Sequence, residues 1–286
     1  MAIFVFITFS GLCNQFYDIN MGINFCLKNN IRFTFLYCSF RQTNLSSWFN
    51  HNFESLFDIS FIKKHRLYVN PKLVNLDKAN AINFEQNTAI RIFKSDNTND
   101  ELLKEINNLC GDKKFIVLKQ FWAIGSKLVN EQNYYSLIKP SSRLVDIYNK
   151  LKNIIFKNNE KYNCIHYRYE SDFTEYFKLK IKNLKSIIIE TKKKFKDTSL
   201  KIFILTSNIT SQLNINDIEI KNLILFKDET HPILKNLNYE ECAFIDYMFG
   251  INSVEIYGHN KSSFSTMING LKGTTNYYNL DELVQT

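Results

Sequence analysis

Short apolar runs alternate with helical patterns along this 286-residue chain, and this alternation limits the folds that it can adopt. Residues 2–8 (AIFVFIT) predict a strand, residues 14–28 a helix and residues 31–37 a second strand. The alternation restarts at residues 162–168 (YNCIHYR), and residues 200–207 (LKIFILTS) carry the clearest strand pattern. Strands separated by helices are typical of α/β proteins with parallel sheets.

The remaining patterns complete two successive α/β halves. They are a helical pattern at residues 46–57, strands near 66–69, 89–93 and 114–120, helices at 100–109 and 143–157, a lysine-rich helix at 178–196, strands at 223–226 and 254–257, and helices at 239–249 and 262–270. The polar stretch after residue 157 predicts a boundary between a domain at 1–158 and a domain at 159–286. Each half opens with a strand, so we expect two Rossmann-like domains that face each other across a cleft. Ligands of such sheets bind beyond the carboxyl ends of the strands.

The formal net charge of +8 favours an anionic partner. Much of this charge lies in the segment 178–196, where apolar residues recur at roughly helical spacing between lysines. That arrangement is typical of the solvated face of an amphipathic helix. A nucleic-acid surface is the alternative. Because the lysines lack interleaved surface aromatics and a nucleic-acid-binding motif, we expect no nucleic-acid partner.

The six cysteines are scattered, with no CxxC pair and no cluster with histidines, so the sequence predicts no zinc site. Such thiols in a chain of this length are typical of a reducing compartment, and we expect a cytoplasmic protein. The apolar start MAIFVFITFS lacks the basic residues of a signal peptide and is interpreted as the first strand. No run of about 20 apolar residues occurs, so no membrane span is expected.

Charged and polar side chains collect at the end of the first strand of the second half. There His166 and Arg168 share a strand face with Cys164, and Glu170 and Asp172 follow. Because a buried, unpaired charge is costly, Arg168 needs an anion beside it. That anion is either a ligand or, in a structural ion pair, Glu170 or Asp172.

Two other motifs place a glycine shortly before a predicted helix. In GLCNQ (11–15), Gly11 permits a tight turn, and free N–H groups at the following helix start attract phosphate or carboxylate; Asn14 is alternatively a plain N-cap. In GHNKSSFSTMI (258–268), Ser262 and Ser263 stand at a helix start, where hydroxyls and N–H groups form a cradle for a diphosphate. Serine also caps many helices that bind no ligand.

These three motifs follow one another in the order of a known family. GxxNQ after the first strand, HxRxExD at mid-chain and a late GxxxSSFS resemble the O-fucosyltransferase-type glycosyltransferases. The HxRxE element is closest to that of the plant-like members. Two acids, Glu241 and Asp246, also precede the glycine and serines of the last motif at the family's spacing. Residues 40–160 carry no recognised motif of the family.

The resemblance implies a GT-B architecture and an inverting transfer of L-fucose from GDP-fucose to a hydroxyl group, without a metal or any other cofactor. The sequence has no DxD motif of the kind that metal-dependent nucleotide-sugar transferases use. By the same resemblance, Arg168 stabilises the departing diphosphate, and Asn14 orients donor and acceptor. Glu170 is a candidate base for the acceptor hydroxyl, and Asp172 is either a second candidate or a residue that holds Arg168 in place.

The resemblance also implies a set of nucleotide-sugar contacts. These are Gly11, His166 and Asp172, the diphosphate-binding Ser262, Ser263 and Phe264 backbone, and an acid for guanine, which is Glu241 or alternatively Asp246. Such an acid would accept hydrogen bonds from guanine N1 and N2 and would select guanine over adenine.

The chain departs from the family pattern at three points. Ser10 replaces a frequent glycine before GxxNQ, and Asn208 stands where the family has an acid after the strand at 200–207. Asn260-Lys261-Ser262 is a glycosylation sequon inside the predicted cradle. Because a glycan there would block the site, the sequon favours a cytoplasmic location.

Two alternatives to a fucosyltransferase remain open. One is an enzyme of the same fold with another GDP- or UDP-sugar as donor, because the motifs bind the diphosphate more clearly than the sugar. The other is a non-catalytic nucleotide- or sugar-binding protein. The acceptor is a glycan, a protein or a small molecule, and we expect residues 40–140 to form most of its binding surface.

Overall fold

The chain folds into two compact units, here in a computed structural model. The first unit comprises Met1–Arg143 with Asn238–Glu240, and the second comprises Leu144–Leu237 with Glu241–Thr286. The predicted domain boundary after residue 158 lies beyond the change of unit between Arg143 and Leu144. The structure describes residues 2–41, 48–77, 79–83, 99–121, 132–156, 160–168, 171–178, 183–206, 220, 222–227, 231–273 and 275–281, with the backbone alone at 99, 100, 102 and 171–173.

The first unit is built on a five-stranded sheet. Its elements in chain order are β1 (Ile3–Thr8), α1 (Leu12–Lys28), β2 (Phe33–Arg41), β3 (Trp48–Asn52), a 3₁₀ helix (Phe53–Ser55), β4 (Phe57–Asp58), α2 (Ser60–Lys63), a second 3₁₀ helix (Pro71–Leu73), β5 (Ala81–Asn83), α3 (Asn99–Cys110), β6 (Phe115–Lys119) and β7 (Lys139–Pro140). The strand order is β3-β2-β1-β6-β5. Strand β3 runs antiparallel to β2, and the other pairs in this sheet are parallel. Strands β4 and β7 form a separate antiparallel pair.

The central strands of this sheet bury side chains on both of their faces, as parallel strands with covered faces do. In β1, Val5 packs in a cluster with Phe115 and Val117 of β6. The Phe6 ring, on the other face of β1, stacks on Phe35 of β2 with 5.2 Å between the ring centroids. The apolar run IFVFIT therefore forms the middle of the unit's core.

Gln15 fixes the loop between β1 and α1. Its side chain is fully buried, and its Oε1 accepts a hydrogen bond of 2.7 Å from the Thr8 hydroxyl. Its Nε2 donates to the carbonyl oxygens of Ser10 at 2.9 Å and Ser39 at 2.7 Å. One amide side chain thus ties the start of α1 to the ends of β1 and β2.

The second unit contains another five-stranded sheet. Its elements in chain order are α4 (Ser142–Ile155, which begins two residues before the change of unit), β8 (Tyr162–His166), α5 (Ser171–Phe177), α6 (Leu184–Lys192), β9 (Lys201–Leu205), β10 (Ile224–Phe226), α7 (Tyr239–Asn252, whose first two residues belong to the first unit), β11 (Ile256–Gly258), α8 (Ser263–Lys272) and β12 (Tyr277–Asn279). The order is β10-β9-β8-β11-β12, and every pair is parallel. From β8, the chain adds β9 and β10 on one side of the sheet and then β11 and β12 on the other side. The strand order therefore reverses between β8 and β11. This is the doubly wound arrangement of a Rossmann-like sheet.

The two faces of β8 meet different groups, as the alternation of its side chains predicts. Ile165, together with Tyr167 just beyond the strand, packs in an apolar cluster that includes Leu184 of α6. On the opposite face, the Cys164 thiol lies 3.7 Å from the Phe249 carbonyl oxygen of α7. His166 follows Cys164 on that face and contacts α8.

The predicted α/β class is confirmed, with strands and helices close to the predicted positions in both units. The helix predicted at residues 46–57 is wrong, because the described residues 48–57 of this segment form β3, a 3₁₀ helix and the start of β4. Phe49, Phe53 and Phe57 are spaced four residues apart, as on one face of a helix. The backbone instead pairs with β2, with Trp48 opposite Arg41 and Asn52 opposite Tyr37. The strand predicted near 66–69 is reduced to a single β-bridge between Phe33 and Tyr68. The strand predicted at 89–93 lies outside the described residues.

Within the described ranges, no helix has the length and apolar character that crossing a membrane requires.

Replacing Gln15 with alanine should destabilise the protein by about 2–3 kcal/mol, because one buried hydroxyl and two carbonyl oxygens lose a partner. Urea denaturation followed by circular dichroism measures this change. The control is the neighbouring Asn14→Ala, which removes one side-chain hydrogen bond at a half-buried position and should cost less than about 1 kcal/mol. Equal losses for the two variants would contradict the structural role of Gln15.

Candidate functional site

The carboxyl ends of β8 and β11 meet at the point where the strand order of the second unit reverses. Cys164 is paired with Ile256, and Ile165 with Tyr257. His166 and Gly258, the last residues of the two strands, therefore lie side by side at the same edge of the sheet. Ligands of open parallel sheets bind outside this edge at such a switch point.

His166 joins β8 to the first turn of α8. Its Nδ1 lies 2.6 Å from the Ser265 hydroxyl oxygen, and its ring centroid lies 4.6 Å from that of Phe264. Burial lowers the pKa of His166 well below its usual value, and the charges of His259 and Arg168 lower it further. The imidazole is therefore neutral at pH 7.

The N-terminus of α8 provides groups suited to an anion. Ser262 is the N-cap residue and is 1% exposed, yet its side chain caps no N–H group, and its hydroxyl oxygen has no hydrogen-bond partner among the residues that the structure describes. The N–H groups of the first helical turn have no acceptor within the helix. Ser263 and Phe264 in that turn are half-buried. A buried hydroxyl and the N–H groups at a helix start can together donate hydrogen bonds to an anion.

The two acids proposed for guanine both lie on α7 and are both buried. The Asp246 carboxylate accepts a hydrogen bond of 2.8 Å from the Lys227 ammonium, and both side chains are largely buried. Asp246 therefore already has a cation as partner within its own unit. Glu241 lies nearer the start of the helix.

In the first unit, the GLCNQ motif lies at the carboxyl end of β1. Helix α1 begins at Leu12 with Gly11 as its N-cap residue, so the interpretation of Asn14 as an N-cap is wrong. The tight-turn explanation for Gly11 is wrong too, because its φ of −57° is open to any residue. The left-handed residue is Ser10, with a φ of 79°.

Ser10 gives Asn14 a contact that the family's glycine would not provide. The Asn14 Nδ2 donates a hydrogen bond of 3.0 Å to the Ser10 hydroxyl oxygen. A non-glycine residue in the left-handed region costs on the order of 1–2 kcal/mol. The serine thus stores some backbone strain and at the same time orients the Asn14 amide.

The first unit also places a cation at this loop. The Arg41 Nε donates a 2.6 Å hydrogen bond to Oε1 of the fully buried Glu240, and the Arg41 backbone N–H donates to Oε2 at 2.7 Å. The guanidinium lies 4.0 Å from the ring centroid of Tyr239. Its Nη2 is 3.5 Å from the position that a Cβ on Gly11 would occupy. Burial raises the pKa of Glu240, which Arg41 partly offsets.

The remaining predicted residues are less fully described. Glu170 lies outside the described residues, and Asp172 is on α5 with its backbone alone described. In the part of the chain that the structure describes, no group of three or more histidine, cysteine, aspartate or glutamate side chains could hold a metal ion.

The structure links four residues to the candidate sites that the sequence patterns did not single out: Ser265, His259, Asp281 and Arg41. Ser265 and His259 lie inside the quoted motif at 258–268, where a polar residue beside a glycine was the only signal. Asp281 contacts His259 from beyond β12, and Arg41 contacts Glu240, so neither pairing has a local pattern.

Comparisons with known proteins rest on structure alone. No protein-family model matches the sequence, and no curated protein matches it either. Among solved structures, POFUT1 in complex with GDP is similar, with a TM-score of 0.63 and 11% sequence identity over 97% of this chain and 98% of that one. POFUT1 in complex with GDP-fucose also gives a TM-score of 0.63, with 10% identity over 98% of both chains. The fucosyltransferase NodZ from Bradyrhizobium gives 0.55, with 11% identity over 95% of this chain and 92% of that one.

Sequence identities of 10–12% show a shared fold and do not by themselves show a shared activity. The similarity extends over nearly the whole chain, including residues 40–160, where the sequence carried no family motif. The predicted GT-B fold class and the resemblance on which it rested are confirmed: the chain has the fold of the fucosyltransferases POFUT1 and NodZ.

Proposed function

We propose that the protein is an inverting, metal-independent glycosyltransferase that transfers L-fucose from GDP-fucose to a hydroxyl group of an acceptor. One observation carries this proposal: His166 contacts the first turn of α8 at the switch point of the sheet. The His166 Nδ1 lies 2.6 Å from the Ser265 hydroxyl oxygen. The fold adds support, because POFUT1 has been crystallised with GDP and with GDP-fucose.

The proposed diphosphate site combines a helix N-terminus with a guanidinium. The Ser262 hydroxyl and the N–H groups of Ser263 and Phe264 donate hydrogen bonds to phosphate oxygens, and the positive end of the helix adds to their effect. Arg168 supplies the full positive charge, and its planar guanidinium can bind two oxygens at once. The acid for guanine is Glu241, with Asp246, which Lys227 already neutralises, as the alternative.

The chemical step is a displacement at C1 of the fucose. The bond from C1 to the β-phosphate oxygen breaks, and its electron pair leaves with GDP. The acceptor oxygen forms a new bond to C1 on the opposite face, which inverts the configuration, and its proton is released. Because positive charge develops on the sugar before the new bond is complete, the acceptor loses its proton late and needs no strong base. Donors fixed around the leaving diphosphate stabilise the charge that develops there.

Two assignments rest on the family resemblance. Asn14 orients the reacting groups, and its hydrogen bond to the Ser10 hydroxyl holds the amide in one position. Glu170 accepts the acceptor's proton, while Asp172 either shares this role or positions Arg168. The acceptor itself is a glycan, a protein or a small molecule.

A cytoplasmic location remains our proposal. All six cysteines are free, and five of them are buried. Asn260 of the sequon is exposed, so a glycosylating compartment would place a glycan two residues from the N-cap Ser262. Free thiols fit a reducing compartment, and a compartment without N-glycosylation would leave Asn260 unmodified.

Arg168→Ala should lower kcat by about 100-fold or more while leaving the fold intact, because the departing diphosphate loses its main cation. Arg168→Lys keeps the charge but not the paired donors and should give an intermediate rate. Steady-state kinetics with GDP-fucose measures both changes. The control is Arg32→Ala, which removes an exposed arginine of the first unit outside the predicted acceptor surface and should leave kcat unchanged. Near-normal turnover by Arg168→Ala would exclude the assigned role.

Ser262→Ala should have opposite effects on stability and on ligand binding. The free protein loses a buried hydroxyl that has no partner, so its free energy of unfolding should stay the same or rise. Affinity for GDP should fall by about 1–2 kcal/mol, or about 5- to 30-fold in Kd. Denaturant titration and isothermal calorimetry give the two values. The control is Thr266→Ala, which removes another hydroxyl near the start of α8. The Thr266 hydroxyl donates hydrogen bonds to the carbonyl oxygens of Ser262 and Ser263. Unchanged GDP affinity in Ser262→Ala would remove this residue from the site.

A thermal-shift screen in buffer with EDTA should rank GDP and GDP-fucose above UDP, ADP and their sugars. A ligand at about 100 times its Kd stabilises the native state by about 2.7 kcal/mol, which is a readily measured rise in Tm. A larger shift with UDP-sugars would favour another donor. A GDP shift that appears only with Mn²⁺ would contradict metal independence, and GDP binding without any turnover would favour a non-catalytic binding protein.

A further inference from the structure

A chain of buried hydrogen bonds connects His166 to Ser265, His259 and Asp281. The His259 backbone N–H donates to the Ser265 hydroxyl oxygen at 3.0 Å, and this oxygen lies 2.6 Å from the His166 Nδ1. The His259 ring is held in turn, because its Nδ1 lies 2.7 Å from the Asp281 Oδ1. Ser265 and His259 are fully buried, and Asp281 is 6% exposed. None of these three residues has a part in the proposed diphosphate cradle.

The position of the Ser265 proton follows from these contacts. A backbone N–H can only donate, so the bond from His259 uses one of the two lone pairs of the Ser265 oxygen. Among the described residues, the acceptor in hydrogen-bond contact with this hydroxyl is the His166 Nδ1. Tyr277 is also near Ser265, and an interaction between the two hydroxyls partly offsets the rise that burial causes in the pKa of Tyr277, but their distance and angles do not meet those of a full hydrogen bond. Ser265 therefore donates to the His166 Nδ1.

The ring of His166 is then fixed in one tautomer. A neutral imidazole carries one proton, and an Nδ1 that accepts a hydrogen bond leaves that proton on Nε2. The His166 Nε2 has no hydrogen-bond partner among the residues that the structure describes, so it is a donor available to a ligand.

We propose that Ser265 is a positioning residue that holds neutral His166 as the Nε2–H tautomer, which then donates to an anionic oxygen of the bound nucleoside diphosphate. The identity of this ligand rests on the proposed function, whereas the tautomer follows from the free protein alone. Because Nε2 is protonated, His166 serves as a hydrogen-bond donor and cannot act as a general base through that atom.

Gly258 provides the space that this arrangement needs. A Cβ on Gly258 would lie 2.8 Å from the Ser265 hydroxyl oxygen, 3.0 Å from the Ser265 Cβ and 3.0 Å from the Tyr277 hydroxyl oxygen. Contacts this short would push the Ser265 hydroxyl away from its present place. Gly258→Ala therefore disturbs the hydrogen bond to His166 without touching either partner chemically.

Long-range ¹H–¹⁵N correlation spectra of the full chain with ¹⁵N-labelled histidine test the tautomer directly. The protein has five histidines, and the signals of His166 are assigned by their loss in His166→Asn. In the free wild type near neutral pH, His166 should show the pattern of an imidazole protonated at Nε2 alone. Ser265→Ala and Gly258→Ala should give a mixture of tautomers. The control Thr266→Ala removes the neighbouring hydroxyl of α8 and should keep the wild-type pattern.

A wild-type His166 protonated at Nδ1 would overturn the proposal, and so would a Ser265→Ala spectrum identical to the wild type. The ligand half is tested by adding GDP. The His166 Nε2 signal should shift while keeping its proton, and GDP affinity should fall about two- to tenfold in Ser265→Ala, because only part of the population presents the donor. GDP binding that leaves the His166 signals unmoved would overturn this half. If GDP does not bind the wild type at all, the proposed function is wrong. The tautomer assignment is then judged from the spectra of the free protein alone.

Discussion

The parallel pairing of β8 with β11 is the interaction on which the candidate donor site depends. The Cys164 N–H donates to the Glu255 carbonyl oxygen at 2.8 Å, and the pairing continues through Ile256 and Tyr257. The fully buried Asn163 helps to set the register, since its Oδ1 accepts from the Glu255 N–H at 3.3 Å. A slip by one residue would turn His166 to the opposite face of the sheet, where Ile165 now packs. The contact between His166 and Ser265 would then be lost.

In both units, buried side chains that are hydrogen-bonded lie next to the predicted site residues. Gln15 makes three hydrogen bonds behind the loop that carries Asn14, and Asp281 and Ser265 flank His259 behind His166. A buried polar group without a partner costs about 1–3 kcal/mol, so most buried polar groups in proteins are paired. In the part of the second unit that the structure describes, the Ser262 hydroxyl is one of several buried side-chain atoms without a hydrogen-bond partner, and it lies at a helix N-terminus. In the proposed site, a phosphate oxygen would supply its acceptor.

The sequence carried the fold class and the ends of the strands, because both depend on local patterns. Apolar runs such as residues 200–207 predict buried parallel strands, and the serines at 262 and 263 do begin a helix. The segment 46–57 failed, since its phenylalanines repeat at helical spacing while its backbone pairs with β2, and pairing partners leave no local signature. The pairs Arg41–Glu240, Lys227–Asp246 and His259–Asp281 could not be predicted for the same reason. The motifs predict where the site lies, but the groups that orient the predicted residues come from distant parts of the chain.

Neutral His166 has a lower electrostatic cost than protonated His166 would have in the field of Arg168. Two positive charges about 4 Å apart near a protein surface repel each other by on the order of 4 kcal/mol, and burial adds a desolvation cost. The pKa of His166 is lowered by both effects, so the ring gives up its charge and keeps its Nε2 proton. In the proposed site, a neutral donor can bind a phosphate oxygen without weakening the interaction of Arg168 with the same diphosphate. The guanidinium would then supply the charge and the imidazole a directed hydrogen bond, and Ser265 would keep the imidazole in the tautomer that this role requires.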